Sequence, residues 1–334
     1  MTLGVFDVKR PFFRIPAAIA VIALLAAGCA SAGGSASPSG LEKTNLVVAA
    51  VPAADAAGLY VAQEEGLFAA EGLHIKIVPA ISSETVIQRQ LAGQYDITMG
   101  AYPSYILADA KDHADFEILA AGSVMQPRNQ VIMVPAGSPI RTIQGLKGKT
   151  ILINAPDNIL QLLVSAALES NGISVKQVHF VWNIPFPEMI NVLQTHAFKG
   201  QRIDAASMPE PFVTGAEEAV GAQPLQDEDI GAAQALPISG FVVTKTWAQK
   251  NPKTAAAFLK ALDEGQRIAD TNPRAVESSL VKYSLGVTPT AAAVMALPTF
   301  PLNTDPALIQ RVADLMTQFG FLTGPYNVRQ IILH

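Results

Sequence analysis

The sequence predicts an α/β fold in which two units of alternating strands and helices precede a helical C-terminal region. From residue 45 onward, short apolar runs alternate with segments whose apolar residues recur at helical spacing. This pattern is typical of parallel sheets covered by helices. The alternation begins again near residue 130, and helical spacing alone remains after residue 244. The length of 334 residues fits about two domains.

The first unit is predicted to hold four strands with helices between them. A Val-rich apolar run at residues 45–50 indicates a buried strand. Ser82 or Ser83 can cap a helix that stops at Gly93, and Pro103 suits the first turn of another helix. The predicted strands are 45–50, 74–78, 95–99 and 116–121; the predicted helices are 59–68, 82–91 and one that the loop 100–104 opens.

The second unit repeats this pattern before the chain becomes helical. Asn171-Gly172 closes one of its helices, as expected of a C-terminal stop signal. The predicted strands are 130–134, 150–153, 178–182, 205–208 and 241–244, and the predicted helices are 143–146, 157–170, 186–194 and 211–219. The helices predicted for the C-terminal tail are 254–269, 274–283, 289–295 and 306–319.

Composition excludes several classes of protein. The net charge is −5, half of the residues are hydrophobic and only 15% are charged, which is the reverse of a disordered chain. Acidic residues outnumber basic ones and the chain has no long Lys/Arg run, which argues against non-specific nucleic-acid binding. A single Cys cannot form a disulfide within the chain or a Cys-based zinc site. Because the sequence carries no phosphate loop, serine nucleophile elbow or close His spacing, we expect neither a cofactor, a metal site nor catalysis.

Residues 1–28 have the features of an export signal. Three basic residues precede an uncharged run at 15–27, which is shorter than the roughly 20 residues that a membrane-spanning helix needs. The Ser- and Gly-rich stretch that follows is typical of a flexible tether, which we place at residues 29–41.

Cys29 is the predicted point of attachment to the cell membrane. The segment Leu25-Ala26-Ala27-Gly28-Cys29 resembles a bacterial lipobox, which implies cleavage before Cys29 and lipid modification of this residue. Ala26 stands where the lipobox usually has Leu. Several acyl chains on one Cys hold a protein stably at a membrane, so we expect the body of the chain on the extracytoplasmic face. A buried free Cys in an uncleaved helix is the alternative.

Four segments of the body together resemble the substrate-binding proteins of bacterial ABC importers of the nitrate, sulfonate and taurine type. Related members of this family bind thiamine pyrimidine precursors. The matching segments are Gly58-Leu59-Tyr60-Val61-Ala62-Gln63-Glu64-Glu65-Gly66-Leu67-Phe68 with Glu71-Gly72-Leu73, then Gly93-Gln94-Tyr95-Asp96-Ile97, then residues 143–150 with Leu146-Lys147-Gly148-Lys149, and finally Asp204-Ala205-Ala206 with Glu210-Pro211-Phe212. The resemblance extends over about residues 45–260.

The resemblance implies a two-lobed fold like that of type II periplasmic binding proteins, with two crossing strands and a ligand cleft between the lobes. We place the crossings near residues 124–129 and 236–240. Lobe one is then 42–126 plus 240–334, and lobe two is 127–239. The implied mechanism is capture of a small ligand by hinge closure. The implied partners are the permease and ATPase subunits of an importer, with the binding protein itself a monomer.

Candidate ligand-binding residues lie in the loops beyond the carboxyl ends of the predicted strands, where open α/β sheets bind ligands. The helix starts at Ser82 and Asn158 favour an anion through their free N–H groups and the helix dipole, and ordinary N-capping is the alternative. Tyr102, Trp182 and Phe186 could stack on a flat ligand, or pack between the lobes.

Two charged residues complete the prediction. Arg128, beside the first crossing, could pair with a sulfonate or carboxylate, whereas the alternative is a solvated hinge residue. Glu210 is either structural or directed into the cleft. The full candidate set is Asp55, Ser82, Ser83, Thr85, Tyr102, Ser104, Arg128, Asn154, Asn158, Trp182, Phe186 and Glu210. This set favours a sulfonate-like anion or a pyrimidine-like heterocycle as ligand. An enzyme on the same fold and a surface receptor without transport are the alternative functions.

Overall fold

A computed structural model of the chain describes residues 40–80, 82–284 and 286–333. The predicted signal peptide, Cys29 and most of the predicted tether lie outside these residues. No helix within the described ranges combines the length and the apolar character that a membrane crossing requires.

The described chain contains strands and helices in close alternation, followed by helices. The strands are β1 Asn45–Ala50, β2 His74–Pro79, β3 Ile97–Ala101, β4 Phe116–Val124, β5 Gln130–Val134, β6 Thr150–Leu152, β7 His179–Val181, β8 Ala197–Phe198, β9 Gln201–Arg202, β10 Ala205–Pro209, β11 Gln223–Asp227 and β12 Pro237–Thr244. The helices are α1 Ala57–Glu64, α2 Leu67–Ala70, α3 Ser83–Leu91, α4 Tyr102–Asp112, α5 Ile159–Ser170, α6 Phe186–Thr195, α7 Phe212–Val220, α8 Lys245–Lys250, α9 Pro252–Thr271, α10 Pro273–Tyr283, α11 Pro289–Val294 and α12 Pro306–Gln318. The predicted α/β class and the helical C-terminal region are confirmed.

Two five-stranded sheets organise the chain, and we call each sheet with its covering helices a lobe. The first sheet has the order β2-β1-β3-β12-β4, and the second has the order β11-β5-β10-β6-β7. The sheets are mixed rather than purely parallel. β12 runs antiparallel to both of its neighbours, and so does β5. These are the two strands that enter from the other lobe, so each arrives from the opposite direction.

The chain passes between the sheets twice. It leaves β4 and enters β5 through residues 125–129, and it leaves β11 and enters β12 through residues 228–236. The backbone N–H of Met125 donates to the carbonyl of Leu236 over 3.0 Å. The two crossing segments are therefore joined by a main-chain hydrogen bond at the boundary of the lobes.

Helices α1 and α9 approach each other through two glycines. A Cβ atom at Gly265 would lie 2.5 Å from the Gly58 carbonyl oxygen and 2.5 Å from the Ala62 Cβ. Such distances are far inside ordinary contact, and the oxygen belongs to the backbone, which cannot rotate away. The crossing of α1 and α9 therefore requires glycine at position 265.

Gly265→Ala should lower the free energy of unfolding by about 1–3 kcal/mol, because overpacking outweighs the gain in helix propensity. Gly215→Ala is the matched control, since Gly215 is also inside a helix and its Cβ would meet only the Ile190 Cδ1 at 3.4 Å. This control should be neutral or slightly stabilising. Urea unfolding of the two variants measures the difference, and equal stabilities would show that the crossing relaxes without cost.

Candidate functional site

A cavity lies where the lobes face each other. Its empty space is about 420 Å³, counted with its opening to solvent. The wall consists of residues at or beyond the carboxyl ends of the parallel strands, together with residues at the beginnings of β5 and β12. These two strands run antiparallel to their neighbours. These residues are Val51, Ala53, Asp55, Ser83, Met99, Gly100, Ala101, Gln130, Asn154, Asn158, Ile159, Leu160, Phe186, Pro209, Ile238 and Ser239. The cavity thus occupies the position that open α/β sheets use for ligands.

Asp55 provides a buried carboxyl group on the first-lobe wall. It lies in a single 3₁₀ turn, Ala54–Ala56, that follows β1. Its Oδ1 accepts a hydrogen bond from the Ser123 hydroxyl at 2.5 Å, and Ser123 Oγ lies 2.9 Å from Ser239 Oγ. Burial raises the pKa of Asp55, and the hydrogen bond from Ser123 partly opposes this shift. Two strands, β4 and β12, therefore hold the carboxyl group in place.

Ser83 is the second predicted residue on the first-lobe wall. Its hydroxyl oxygen accepts from the backbone N–H of Ala101 at 3.0 Å, which joins the start of α3 to the end of β3. A Cβ at Gly100 would lie 2.7 Å from this oxygen. The absence of a side chain at Gly100 allows this close approach.

Two asparagines form the polar part of the second-lobe wall. Asn158 caps α5, since its Oδ1 accepts from the backbone N–H of Leu160 at 3.0 Å. Its Nδ2 donates to Asn154 Oδ1 at 3.2 Å. Both side chains are buried. Asn158 therefore has the capping role, and the pair also presents polar edges to the cavity.

Gln130 is a wall residue that the sequence analysis did not identify. It is the first residue of β5 and is 1% exposed. Its Oε1 has no hydrogen-bond partner among the described residues. In the sequence it reads only as the polar start of an apolar strand. Its position follows from the reversal of β5, which brings the first residue of this strand to the ligand edge of the sheet.

Phe186 forms an apolar wall that the cavity shares with a second opening, which we call the mouth. Its ring stacks on that of Phe212, with centroids 5.5 Å apart and planes 26° apart. It also lines an adjoining opening of about 850 Å³ that includes open solvent. Four prolines contribute to this opening, two from each lobe: Pro52, Pro79, Pro185 and Pro187.

Five of the twelve predicted residues thus lie on the cavity wall: Asp55, Ser83, Asn154, Asn158 and Phe186. Ser82 and Thr85 are adjacent but occupied with each other. Ser82 Oγ accepts from the backbone N–H of Thr85 at 3.4 Å, and the two hydroxyls lie 3.2 Å apart. Ser104 is half-buried within α4, away from the wall.

The structure places three other predicted residues away from the wall. Tyr102 is fully buried, because β3 continues through Gly100 and Ala101 and α4 begins at once, so the expected loop 100–104 does not exist. Trp182 is 39% exposed outside the wall. The Arg128 guanidinium lies 3.1 Å from Glu217 Oε1 in an exposed ion pair. Tyr102 thus packs in the core, and Arg128 is the solvated hinge residue of the alternative interpretation.

Glu210 is buried and is not among the residues that line the cavity. Its carboxylate accepts from the Thr214 hydroxyl at 2.7 Å, from the Thr214 backbone N–H at 3.1 Å and from the Ala296 backbone N–H at 3.3 Å. Burial raises the pKa of Glu210. Its carbonyl oxygen accepts from the backbone N–H of Ala54 at 2.9 Å. Glu210 therefore has a structural role, and its main chain joins the two walls beside the cavity.

Among the described residues that line the wall, Asp55 is the one with an ionisable side chain, and none is Lys, Arg or His. Between residues 40 and 333, in the part that the structure describes, no group of three or more His, Cys, Asp or Glu side chains is arranged to hold a metal ion. The chemistry that this wall supports is hydrogen bonding and apolar contact with a small molecule.

Comparisons with known proteins identify a family and similar sequences. A family model described as "NMT1/THI5 like" matches residues 53–276. The nitrate import ATP-binding protein NrtC of Synechocystis sp. (strain PCC 6803) is 24% identical over 249 residues, which are 70% of this chain. The chain spans 36% of the length of that relative.

Two solved structures show the same fold. The periplasmic aliphatic sulphonate binding protein SsuA of Escherichia coli is 20% identical, with a TM-score of 0.68, and the match covers 87% of this chain and 97% of that one. The periplasmic nitrate-binding protein NrtA of Synechocystis PCC 6803 is 16% identical, with a TM-score of 0.71 and coverage of 87% and 85%. Both similarities extend over nearly the whole described chain.

Proposed function

This chain belongs to the NMT1/THI5-like family, and from this premise we propose that it is the solute-binding protein of an ABC importer. The family match confirms the resemblance carried by the segment that begins at Gly58. The observation that supports the proposal most strongly is the cavity itself, because both lobes contribute buried polar and apolar residues to a single wall. A ligand that touches both sides stabilises the closed arrangement of the lobes, which is how such proteins capture a solute.

The two crossing segments are the proposed hinge. Lobe one comprises residues 42–126 plus 240–334, and lobe two comprises residues 127–239. The hydrogen bond between Met125 and Leu236 keeps the two crossings together. The lobes can therefore rotate about one narrow boundary while each sheet stays intact. Closure brings the Asp55 side of the cavity against the Asn154 side, and no covalent bond is made or broken.

The N-terminal segment determines where the protein works. We propose that residues 1–28 are a cleaved signal peptide, that Cys29 carries the lipid anchor and that residues 29–41 form the tether. The protein then acts as a monomer at the extracytoplasmic face of the cell membrane. Its partners are the permease and ATPase subunits of the importer, and the permease receives the small organic ligand from the closed form.

A thermal-shift screen of the purified chain with sulfonates, nitrate, pyrimidines and flavins tests this function. We expect at least one ligand to raise the melting temperature in a saturable manner, because binding to the folded state alone stabilises it. Incubation with that ligand should give no product. Product formation would instead identify an enzyme on this fold, and no shift with any compound would favour a surface receptor without transport.

A further inference from the structure

The polar groups of the cavity indicate which ligand chemistry it accepts. We infer that the cavity, if the proposed function holds, selects an uncharged or cationic organic molecule with an N–H donor head group and an apolar tail, rather than an anion. The head group would bind between Asp55 of the first lobe and Gln130 of the second. The tail would extend along Phe186 toward the proline-lined mouth.

Hydrogen-bond acceptors on both walls call for a donor on the ligand. The Asp55 carboxyl is buried in the cavity wall, where it accepts from the Ser123 hydroxyl through Oδ1 and from its own backbone N–H. Across the lobes, Gln130 Oε1 is buried and has no partner among the described residues. A buried acceptor without a donor is costly, and an amine or amidine N–H between the lobes would offer a donor to both sites.

The wall offers an anion little support. Among the described residues it contains no Lys, Arg or His, so no cation there would balance the charge of a sulfonate or nitrate. The nearest cation that the sequence suggested, Arg128, lies away from the wall and pairs with Glu217 at 3.1 Å. Side-chain oxygens already accept hydrogen bonds from backbone N–H groups at the N-termini of two helices, because Asn158 caps α5 and Ser82 caps α3.

The proline-lined mouth would hold the apolar tail of the ligand. Phe186 belongs both to the cavity and to the adjoining opening. Pro52 and Pro79 from the first lobe and Pro185 and Pro187 from the second present apolar rings there. Asp55 does not line this opening. A donor head near Asp55 and a tail in the opening would therefore occupy two adjoining spaces that share Phe186.

Two probes with the same tail and opposite head groups test this inference by calorimetry: hexylammonium chloride and sodium hexanesulfonate. We expect hexylammonium to bind at least about 10-fold more tightly to the full chain than hexanesulfonate, and methylammonium to bind more weakly than hexylammonium. Tighter binding of hexanesulfonate would overturn the inference. Failure of hexylammonium to bind would also overturn it. If the thermal-shift screen still finds a ligand, the proposed function survives; if it finds none, both fail.

Two variants assign the effect to the head-group residues. Asp55→Asn retains an acceptor for Ser123 and should weaken hexylammonium binding about 10- to 100-fold, since a hydrogen bond to a charged group contributes about 1.5–3 kcal/mol. Gln130→Met, which removes the acceptor at similar volume, should weaken it about 5-fold and tests the site even if Asp55→Asn misfolds. Asp115→Asn, at an exposed carboxyl, is the control and should leave affinity unchanged. Unaltered affinity in both site variants would overturn the inference.

Discussion

Glu228→Gln should raise the free energy of unfolding by about 2–4 kcal/mol at pH 8 and leave it nearly unchanged at pH 4, since one pKa unit corresponds to about 1.4 kcal/mol. Glu228 is fully buried at the start of the second crossing segment. Its Oε2 accepts from the Ser207 hydroxyl at 3.1 Å, and its Oε1 has no partner among the described residues. Burial raises its pKa from 4.5 to about 8, with a further contribution from the charge of Asp227 and an opposing one from Ser207.

The sign of this effect follows from the two pKa values. Between pH 4.5 and 8 the folded chain holds a proton on Glu228 that the unfolded chain has released. The free energy of unfolding therefore decreases as the pH rises through this window and is lowest above it. Glutamine carries no titratable proton, so the variant lacks this decrease. Its amide introduces a new donor near Ser207, which limits the gain to less than the full shift would give.

Thermal or urea unfolding of the wild type and Glu228→Gln between pH 4 and 8.5 measures this difference. Other buried carboxyl groups with raised pKa, such as Asp55 and Glu210, contribute to the pH dependence of both proteins and cancel in the comparison. Glu117→Gln, at a half-exposed strand position, serves as the matched control for the same substitution outside the crossing segment. If the difference in free energy of unfolding between the wild type and Glu228→Gln stays constant across the pH range, Glu228 is already ionised in the folded chain.

Ala53→Leu should abolish tight ligand binding while the fold persists. Ala53 lines the cavity directly after β1, in an extended backbone conformation that a branched side chain can adopt. The added carbons would occupy the space next to Asp55, and a clash of about 2 kcal/mol or more corresponds to at least about a 30-fold loss of affinity. Calorimetry with a ligand found in the thermal-shift screen measures this loss.

Ala256→Leu is the matched control for the blocked cavity. Ala256 lies on the exposed face of α9, so the same substitution there leaves the cavity untouched. Both variants should unfold within about 2 kcal/mol of the wild type, the range expected for one added side chain. Full affinity in Ala53→Leu would place the ligand outside the cavity between the lobes.

Strands with a strong apolar pattern could be predicted from the sequence, whereas an edge strand could not. β1 and β5 agree with the predicted ranges because their residues are apolar enough to require burial. β11 was missed because its sequence, Gln223-Pro224-Leu225-Gln226-Asp227, is polar, contains a proline and pairs with β5 through an irregular register. Its strand conformation comes from its neighbour rather than from its own pattern.

In the candidate site too, residues placed by the local sequence pattern could be predicted, whereas residues placed by the tertiary structure could not. Asp55, Asn154 and Asn158 were predicted because they directly follow strands, and this needs no knowledge of the other lobe. Gln130 and Ser239 were missed because they lie near the beginnings of strands that turn out to run in reverse. Tyr102 was misplaced because two further residues pair in β3 and carry it into the core.

Hydrogen exchange of the full chain with and without a saturating ligand tests the capture of a solute between two lobes most directly. We expect slower exchange on both walls, in residues 51–56 and 154–160, and at the crossings 125–129 and 228–236, because ligand and closure cover all four segments. Slower exchange confined to one lobe, or to a surface away from the cavity, would contradict this expectation.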